Sequence, residues 1–172
     1  MIPHIEKEYK MMISKEMYER ILSDYQAVPF LQRNYYYSTG QRDKAARIRK
    51  INDIYLFTLK ARQPDHRDEY EFEVSGNDPK DPRIVKLMNE FDIASLTYQG
   101  YMDTWRAIVQ TENGELCIDR SEYNGQTDYE LEYELHDPEY DTFSVFEKIL
   151  ARYGLTYRAS SRSKYGRFLN AK

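Results

Sequence analysis

The sequence predicts an α+β fold in which antiparallel β-strands dominate and a few helices complete the core. Three observations support this prediction. Eight stretches alternate between two kinds of side chain with the period of two that is typical of β-strands. Short turn signals separate several of these stretches, which favours antiparallel pairing. Three other stretches repeat apolar residues with a helical period.

The strand-like stretches are rich in Tyr, Ile, Thr and Val. In chain order they cover residues 3–13, 33–39, 45–51, 54–62, 67–74, 98–110, 115–122 and 128–135. Asn-Gly pairs at 113–114 and 124–125 favour positive φ angles and are typical of tight hairpins. Turn residues at 52–53 and 63–65 mark two further connections. The sheet is therefore expected to be antiparallel.

The predicted helices cover residues 15–26, 83–91 and 142–153. Ser14 is the expected N-cap of the first helix, and Asp141 and Gly154 flank the third. Each helix has one apolar stripe, so each requires an apolar surface on which to pack. The basic tail, 159–172, is expected to form one more short helix.

Length and composition limit the classes of protein. A chain of 172 residues fits one domain, predicted to span 1–172 with its core at about 4–169. A net charge of -4 and a pI near 5.5 argue against a nucleic-acid partner. The lone Cys117 cannot form an internal disulfide, and no apolar leader or membrane span is visible. The sequence thus predicts a cytoplasmic protein without a membrane partner.

Charged residues follow the same period of two on several strands. Two strands carry cations on one face, namely Arg47 and Arg49, and Lys60 and Arg62. Two others carry glutamates on one face, namely Glu69, Glu71 and Glu73, and Glu130, Glu132 and Glu134. Each charged row alternates with a row of apolar or aromatic side chains.

This alternation has two interpretations. In the first, an open sheet turns its apolar face to the core and its charges to water, which is the commonest antiparallel arrangement. In the second, the sheet closes, helices cover the apolar outer row of Tyr129, Leu131, Tyr133 and Leu135, and the charges line the interior. A barrel of about eight strands holds packed side chains or one small ligand.

A set of motifs resembles a known family. Glu6, Glu8 and Lys10 form an ExExK motif. It is followed in order by QxNYYY at 32–37, RxR at 47–49, TLK at 58–60, CID at 117–119, YELEYE at 129–134 and SKY at 163–165. In this order the motifs resemble the CYTH superfamily, the triphosphate tunnel metalloenzymes, and are most similar to its small bacterial single-domain branch.

The resemblance implies an eight-stranded antiparallel β-barrel, or tunnel, with a charged interior and helices packed outside. Members of the superfamily include inorganic triphosphatases, thiamine triphosphatases and class IV adenylate cyclases. The implied partner is a small-molecule triphosphate, and relatives suggest a homodimer.

The cations are candidates for binding the triphosphate, which carries roughly four to five negative charges. One charge pair at about 4 Å is worth on the order of 4 kcal/mol at an effective dielectric constant of about 20, so several fixed cations are required. The substrate-binding candidates are Lys10, Arg47, Arg49, Lys60, Arg62, Arg106 and Lys164. The arginines can bind phosphate oxygens in a bidentate manner.

The carboxylates are candidates for binding a divalent cation. Glutamates brought together would repel one another without such an ion, and oxygen-only ligands suit Mg²⁺ or Mn²⁺. The metal candidates are Glu6, Glu8, Glu130, Glu132 and Asp119, with Glu134 as the alternative to Glu130. The catalytic candidates are Glu6, Glu8, Lys10, Asp119 and Lys164, with Glu69, Glu71, Glu73 and Glu134 in supporting positions.

The expected function is metal-dependent hydrolysis of a triphosphate, with inorganic tripolyphosphate as the first candidate and nucleoside or thiamine triphosphate next. Two alternatives remain open. A class IV-type adenylate cyclase would use the same triphosphate contacts to form cyclic AMP and pyrophosphate, and a binding module would hold polyphosphate or nucleotides without turnover. A barrel for hydrophobic ligands is disfavoured by Arg47, Arg49 and Glu132.

Overall fold

A computed structural model describes residues 1–172 and contains nine β-strands and four α-helices. The strands are β1 (His4–Glu6), β2 (Glu8–Met12), β3 (Phe30–Ser38), β4 (Lys44–Ile51), β5 (Ile54–Arg62), β6 (Arg67–Val74), β7 (Thr97–Thr111), β8 (Gly114–Tyr123) and β9 (Gln126–Leu135). The helices are α1 (Lys15–Asp24), α2 (Pro82–Glu90), α3 (Phe143–Arg152) and α4 (Lys164–Asn170). None of the helices has the length and hydropathy that crossing a membrane requires.

The strand count is nine rather than the predicted eight, because the stretch expected at 3–13 is interrupted at Lys7. The two resulting strands have different partners: β1 lies beside β6, and β2 lies beside β9. The backbone carbonyl of Lys7 accepts a hydrogen bond from the Leu135 amide at 3.0 Å. The other predicted strands and helices are present, with ends shifted by a few residues.

The chain divides into two compact units, and the prediction of one domain stays a prediction. The first unit comprises Met1–Ile5 and Gln32–Asp103. Its strands follow the order β1-β6-β5-β4-β3, and the first part of β7 lies next to β3. Ile48, Phe57 and Leu59 pack with residues of α2 to form its hydrophobic core.

The second unit comprises Glu6–Leu31 and Thr104–Lys172. The second part of β7 is followed by β8, β9 and β2. Helices α1 and α3 contribute Ile21 and Phe146 to a core that also contains Leu131 and Tyr133 of β9. The rings of Tyr133 and Phe146 stack at a centroid distance of 5.3 Å. The apolar row of β9 therefore supports helices, as the alternation predicted.

Local sequence signals determine where α1 begins and where β8 turns into β9. The Ser14 hydroxyl accepts a hydrogen bond from the Met17 amide at 3.1 Å and caps α1 as expected. The β8–β9 turn has positive φ angles of 47° at Asn124 and 74° at Gly125, which join the two strands in a tight hairpin. Antiparallel register then places Asp119 opposite Glu130.

We expect Phe146→Ala to lower the free energy of unfolding by about 3–5 kcal/mol, because the substitution leaves a cavity in the core. Phe146 is fully buried against Tyr133. Urea denaturation followed by circular dichroism measures the change. Lys148→Ala, at an exposed position of the same helix, should change stability by less than about 0.5 kcal/mol. Equal stability of the two variants would show that this stacking does not support the core.

Candidate functional site

The acidic residues of the second unit are brought together by strand register. Glu8 lies opposite Glu134, and Lys10 lies opposite Glu132. In β8, which is the other neighbour of β9 in the sheet, Asp119 is paired with Glu130. Directly opposed residues of an antiparallel pair project from the same face of the sheet. The face of β9 opposite to α1 and α3 is therefore crowded with carboxylates.

A buried acidic cluster is formed by Asp119, Glu130 and Glu132, whose carboxylate oxygens lie within 4.8 Å of one another. The ammonium group of Lys164 lies between them. Its Nζ is 2.8 Å from Asp119 Oδ2 and 2.6 Å from Glu132 Oε1, and it also contacts Glu130 Oε1. An ammonium group has three N–H donors, so these three contacts can use its full donor capacity.

Arg106 provides the second buried cation of this cluster. Its Nε and Nη2 donate to the two oxygens of Asp119 at 2.8 and 2.7 Å. Nη2 also donates to Glu132 Oε2 at 2.8 Å. Bidentate contacts of this kind combine charge with a fixed geometry. Glu132 is therefore held from both sides, by Arg106 and by Lys164.

These contacts shift the pKa values of the buried carboxyl groups and of Lys164. Burial would raise the pKa of Asp119, but the charges of Arg106 and Lys164 hold it below its usual value. Burial also opposes ionisation of Glu132, yet Lys164, Arg106 and Lys10 hold its pKa well below the usual range. Burial raises the pKa of Glu130 despite Lys164. The pKa of Lys164, which burial would lower, is raised well above its usual value by Asp119, Glu130 and Glu132.

A second acidic cluster consists of Glu6, Glu8 and Glu134, with carboxylate oxygens again within 4.8 Å of one another. Glu6 is 4% exposed, while Glu8 and Glu134 are half-buried. The Lys10 ammonium lies 3.0 Å from Glu8 Oε1 and 3.9 Å from Glu132 Oε1, next to both clusters. Three converging carboxylates are a donor set that suits Mg²⁺ or Mn²⁺.

Both clusters contact a lysine, since Lys10 lies 3.0 Å from Glu8 of the second cluster. In the first cluster, Lys164 contacts all three residues. A metal ion at that position would have to displace a lysine that is already well paired. In the second cluster, Glu134 converges with the glutamates of the ExExK motif. The residues present thus fit a divalent cation better at the second cluster.

The predicted cations of the first unit lie on one face of β4 and β5. Arg47 is paired with Thr58, and Ala45 with Lys60, so Arg47, Arg49 and Lys60 share the face opposite to the apolar core. Lys60 forms an ion pair with Glu69 at 3.5 Å. Thr58 donates to Glu71 at 2.9 Å. Two glutamates of β6 therefore contact polar groups of β5, and their supporting role stays a prediction.

Other candidates of the first unit lie at exposed positions. Arg62 is exposed at the end of β5, and the side chains of Glu71 and Glu73 are also exposed. The roles assigned to these and to the other candidate residues stay predictions.

Sequence reasoning missed Arg167. Its Nε donates to Asp128 at 2.8 Å, and Nη1 donates to Glu130 Oε2 at 2.9 Å. Because Arg167 follows Lys164 by three residues in α4, both side chains lie on one helix face. That spacing, in a basic tail already expected to be helical, was the signal that could have identified it.

We expect Lys164→Met to lower the free energy of unfolding by about 3–5 kcal/mol at pH 7, because three buried carboxylates lose their shared cation. Without Lys164 the carboxylate pKa values should rise, so the folded variant binds more protons than its unfolded chain. Its stability should then increase from pH 7 to pH 5, and the deficit relative to wild type should narrow.

Chemical denaturation at both pH values tests this expectation. Lys15→Met removes an exposed lysine and serves as the matched control. A deficit for Lys164→Met that is independent of pH would contradict the assigned charge balance.

Comparisons with known proteins agree with this geometry. The family model for the CYTH domain matches residues 4–166. A Bacillus subtilis protein named as a candidate triphosphatase, YjbK, is 31% identical over 191 aligned residues, which cover 100% of this chain and 98% of that protein.

Solved structures are similar over nearly the whole chain. A candidate adenylate cyclase from Bacillus halodurans has a TM-score of 0.84 at 29% identity, with 98% of this chain and 99% of that chain covered. A candidate adenylyl cyclase from Hippeastrum, described as revealing a dominant triphosphatase activity, has a TM-score of 0.76 at 25% identity, with 97% and 96% covered. These findings confirm the predicted fold class, an antiparallel β-barrel with helices outside, and the chain belongs to the CYTH family.

Proposed function

We propose that this protein is a divalent-metal-dependent hydrolase of triphosphates, with inorganic tripolyphosphate as the first candidate substrate. The observation that carries the proposal is the convergence of Glu6, Glu8 and Glu134 within 4.8 Å. The Bacillus subtilis relative named as a candidate triphosphatase and the Hippeastrum protein with dominant triphosphatase activity support the same reaction class.

The second acidic cluster would hold Mg²⁺ or Mn²⁺ through Glu6, Glu8 and Glu134. When bound, such an ion supplies positive charge to phosphate oxygens and lowers the pKa of water. Lys10, 3.0 Å from Glu8, is placed to donate to a phosphate oxygen beside these carboxylates. Its fixed charge would stabilise negative charge that develops during phosphoryl transfer.

The buried cluster has a different role in this proposal. Arg106 and Lys164 hold Glu132 ionised and oriented, and Glu132 in turn attracts Lys10. Lys164 and Asp119 therefore act by positioning Glu132, and through it Lys10. In the first unit, Arg47, Arg49 and Lys60 share one face of β4 and β5, and their cationic groups are suited to phosphate oxygens. Guanidinium groups suit this task because their N–H donors match the spacing of oxyanions.

An adenylate cyclase activity is the second candidate. It is favoured by the similarity to the Bacillus halodurans protein, a candidate adenylate cyclase. In that reaction a ribose hydroxyl replaces water as the nucleophile, while the contacts to the triphosphate are unchanged. Product identity therefore separates the two activities.

A turnover panel tests the proposed function. Purified protein is incubated with tripolyphosphate, thiamine triphosphate, ATP or GTP, each with Mg²⁺ or Mn²⁺, and every product is identified. Phosphate release that requires the metal supports the hydrolase, and cyclic AMP with pyrophosphate supports the cyclase. Binding without turnover under all these conditions would replace both with a binding module.

We expect Glu134→Gln to raise the Mg²⁺ concentration for half-maximal tripolyphosphate hydrolysis by about tenfold or more, because one anionic ligand is lost. Glu130→Gln alters the cluster that holds Lys164 and should change this concentration much less. Glu147→Gln, at an exposed position of α3, is the control for altered net charge. An equal effect of Glu130→Gln and Glu134→Gln would contradict the placement of the metal.

A further inference from the structure

Buried polar atoms without partners lie on the charged face of the first unit. They are the Gln32 side-chain carbonyl oxygen, the Asn34 side-chain nitrogen and the Arg47 Nε. Asn34 is 0% exposed and Gln32 is 4% exposed. A buried donor without an acceptor is destabilising, so native structures retain few of them. Two such donors on neighbouring strands call for an explanation.

Strand register places the two donors on the same face. Asn34 of β3 is paired with Arg49 of β4, and Tyr36 is paired with Arg47. Asn34 and Arg47 are therefore diagonal neighbours across the two strands. Diagonal neighbours in a sheet lie about 7–8 Å apart, which long side chains can span. Both donors thus project from the same face, and an acceptor group that meets them would displace the side chains that now shield them from solvent.

The orientation of the Asn34 amide is fixed by its other contact. Arg49 Nε donates to Asn34 Oδ1 at 2.7 Å. Since a guanidinium group only donates, the oxygen of Asn34 must face Arg49, and the amide nitrogen must face elsewhere. Asn34 therefore holds Arg49 with one atom and presents its N–H donors with the other.

The donor or acceptor character of the partnerless atoms indicates which kind of ligand group would bind them. The N–H groups of Asn34 and Arg47 both require an acceptor, and the adjacent arginine charges favour an anionic one. A phosphate oxygen meets both requirements. The carbonyl oxygen of Gln32 requires a hydrogen instead, so Gln32 is not assigned to this contact.

We propose that Asn34 is a further substrate-binding residue, whose amide N–H donates, together with the Arg47 Nε–H, to a phosphate oxygen of the triphosphate. This inference rests on the proposed function and deepens it. The Oδ1 atom of Asn34 keeps Arg49 in position at the same time. Because the contact is made to phosphate, it contributes equally to binding of tripolyphosphate and of a nucleoside triphosphate.

The variant Asn34→Asp removes the N–H donors and also adds a negative charge beside Arg49, so its result is read together with the Asn34 side-chain amide signal of the wild-type protein described below. An aspartate keeps the oxygen that holds Arg49 but replaces the N–H donors with a second, negatively charged oxygen. If Asn34 contacts phosphate, the dissociation constant for sodium tripolyphosphate should rise by about tenfold or more. Isothermal titration calorimetry with EDTA measures it without metal-dependent turnover. ATP should lose affinity by the same factor.

Asn52→Asp makes the same chemical change at an exposed turn of the first unit and should bind tripolyphosphate as wild type does. Unchanged affinity of Asn34→Asp would mean that Asn34 only orients Arg49 and would overturn the inference. A loss confined to ATP would do so as well, because the amide would then contact the nucleoside.

If Asn34→Asp does not fold, the wild-type protein provides the test. The side-chain amide ¹⁵N–¹H signal of Asn34 should shift on addition of tripolyphosphate, and an unchanged signal at saturation would refute the contact. Wild-type protein that neither binds nor hydrolyses tripolyphosphate would refute the proposed function, and this inference with it. If the wild-type protein binds tripolyphosphate but the side-chain amide signal of Asn34 does not shift, only this inference is refuted.

Discussion

The balance of buried charge in the second unit is the constraint on which the rest of the proposed site depends. Asp119, Glu130 and Glu132 are enclosed by protein, and ionised carboxylates in such a place need nearby cations. Lys164 and Arg106 provide them at hydrogen-bonding distance. This network allows neighbouring glutamates of the ExExK motif to converge on a separate position. A lysine of the protein itself thus neutralises one acidic cluster, while the other is a set of carboxylates that could hold a metal ion.

Much of the fold followed from alternation, because the two faces of each strand differ so clearly. Tyr129, Leu131 and Tyr133 lie in a packed or half-buried environment beneath helices, and the intervening glutamates lie on the opposite face. The interruption at Lys7 could not be predicted in this way. Alternation continues through that residue, and the break arises from a change of partner strand, which local sequence does not encode.

The sequence predicted which residues belong to the candidate site better than it predicted which of them lie close together. Glu134 was expected either to support the site or to replace Glu130 as a metal ligand, and it converges with Glu6 and Glu8 because the register of β2 and β9 places it opposite Glu8. The position of Lys164 depends on how α4 docks, which is a tertiary contact. The second role of Asn34 required knowledge of which buried atoms lack partners. Such information exists only after the chain has folded.

The length of the turn between β8 and β9 determines which residues of the two strands are paired. Its two-residue connection at Asn124 and Gly125 fixes the pairing of Asp119 with Glu130. Side chains alternate strictly along a strand, so a slip of one residue would turn every carboxylate of β9 toward the helices. The connection should therefore tolerate sequence change far better than insertion or deletion. The number of residues in this turn is therefore itself a requirement of the acidic cluster.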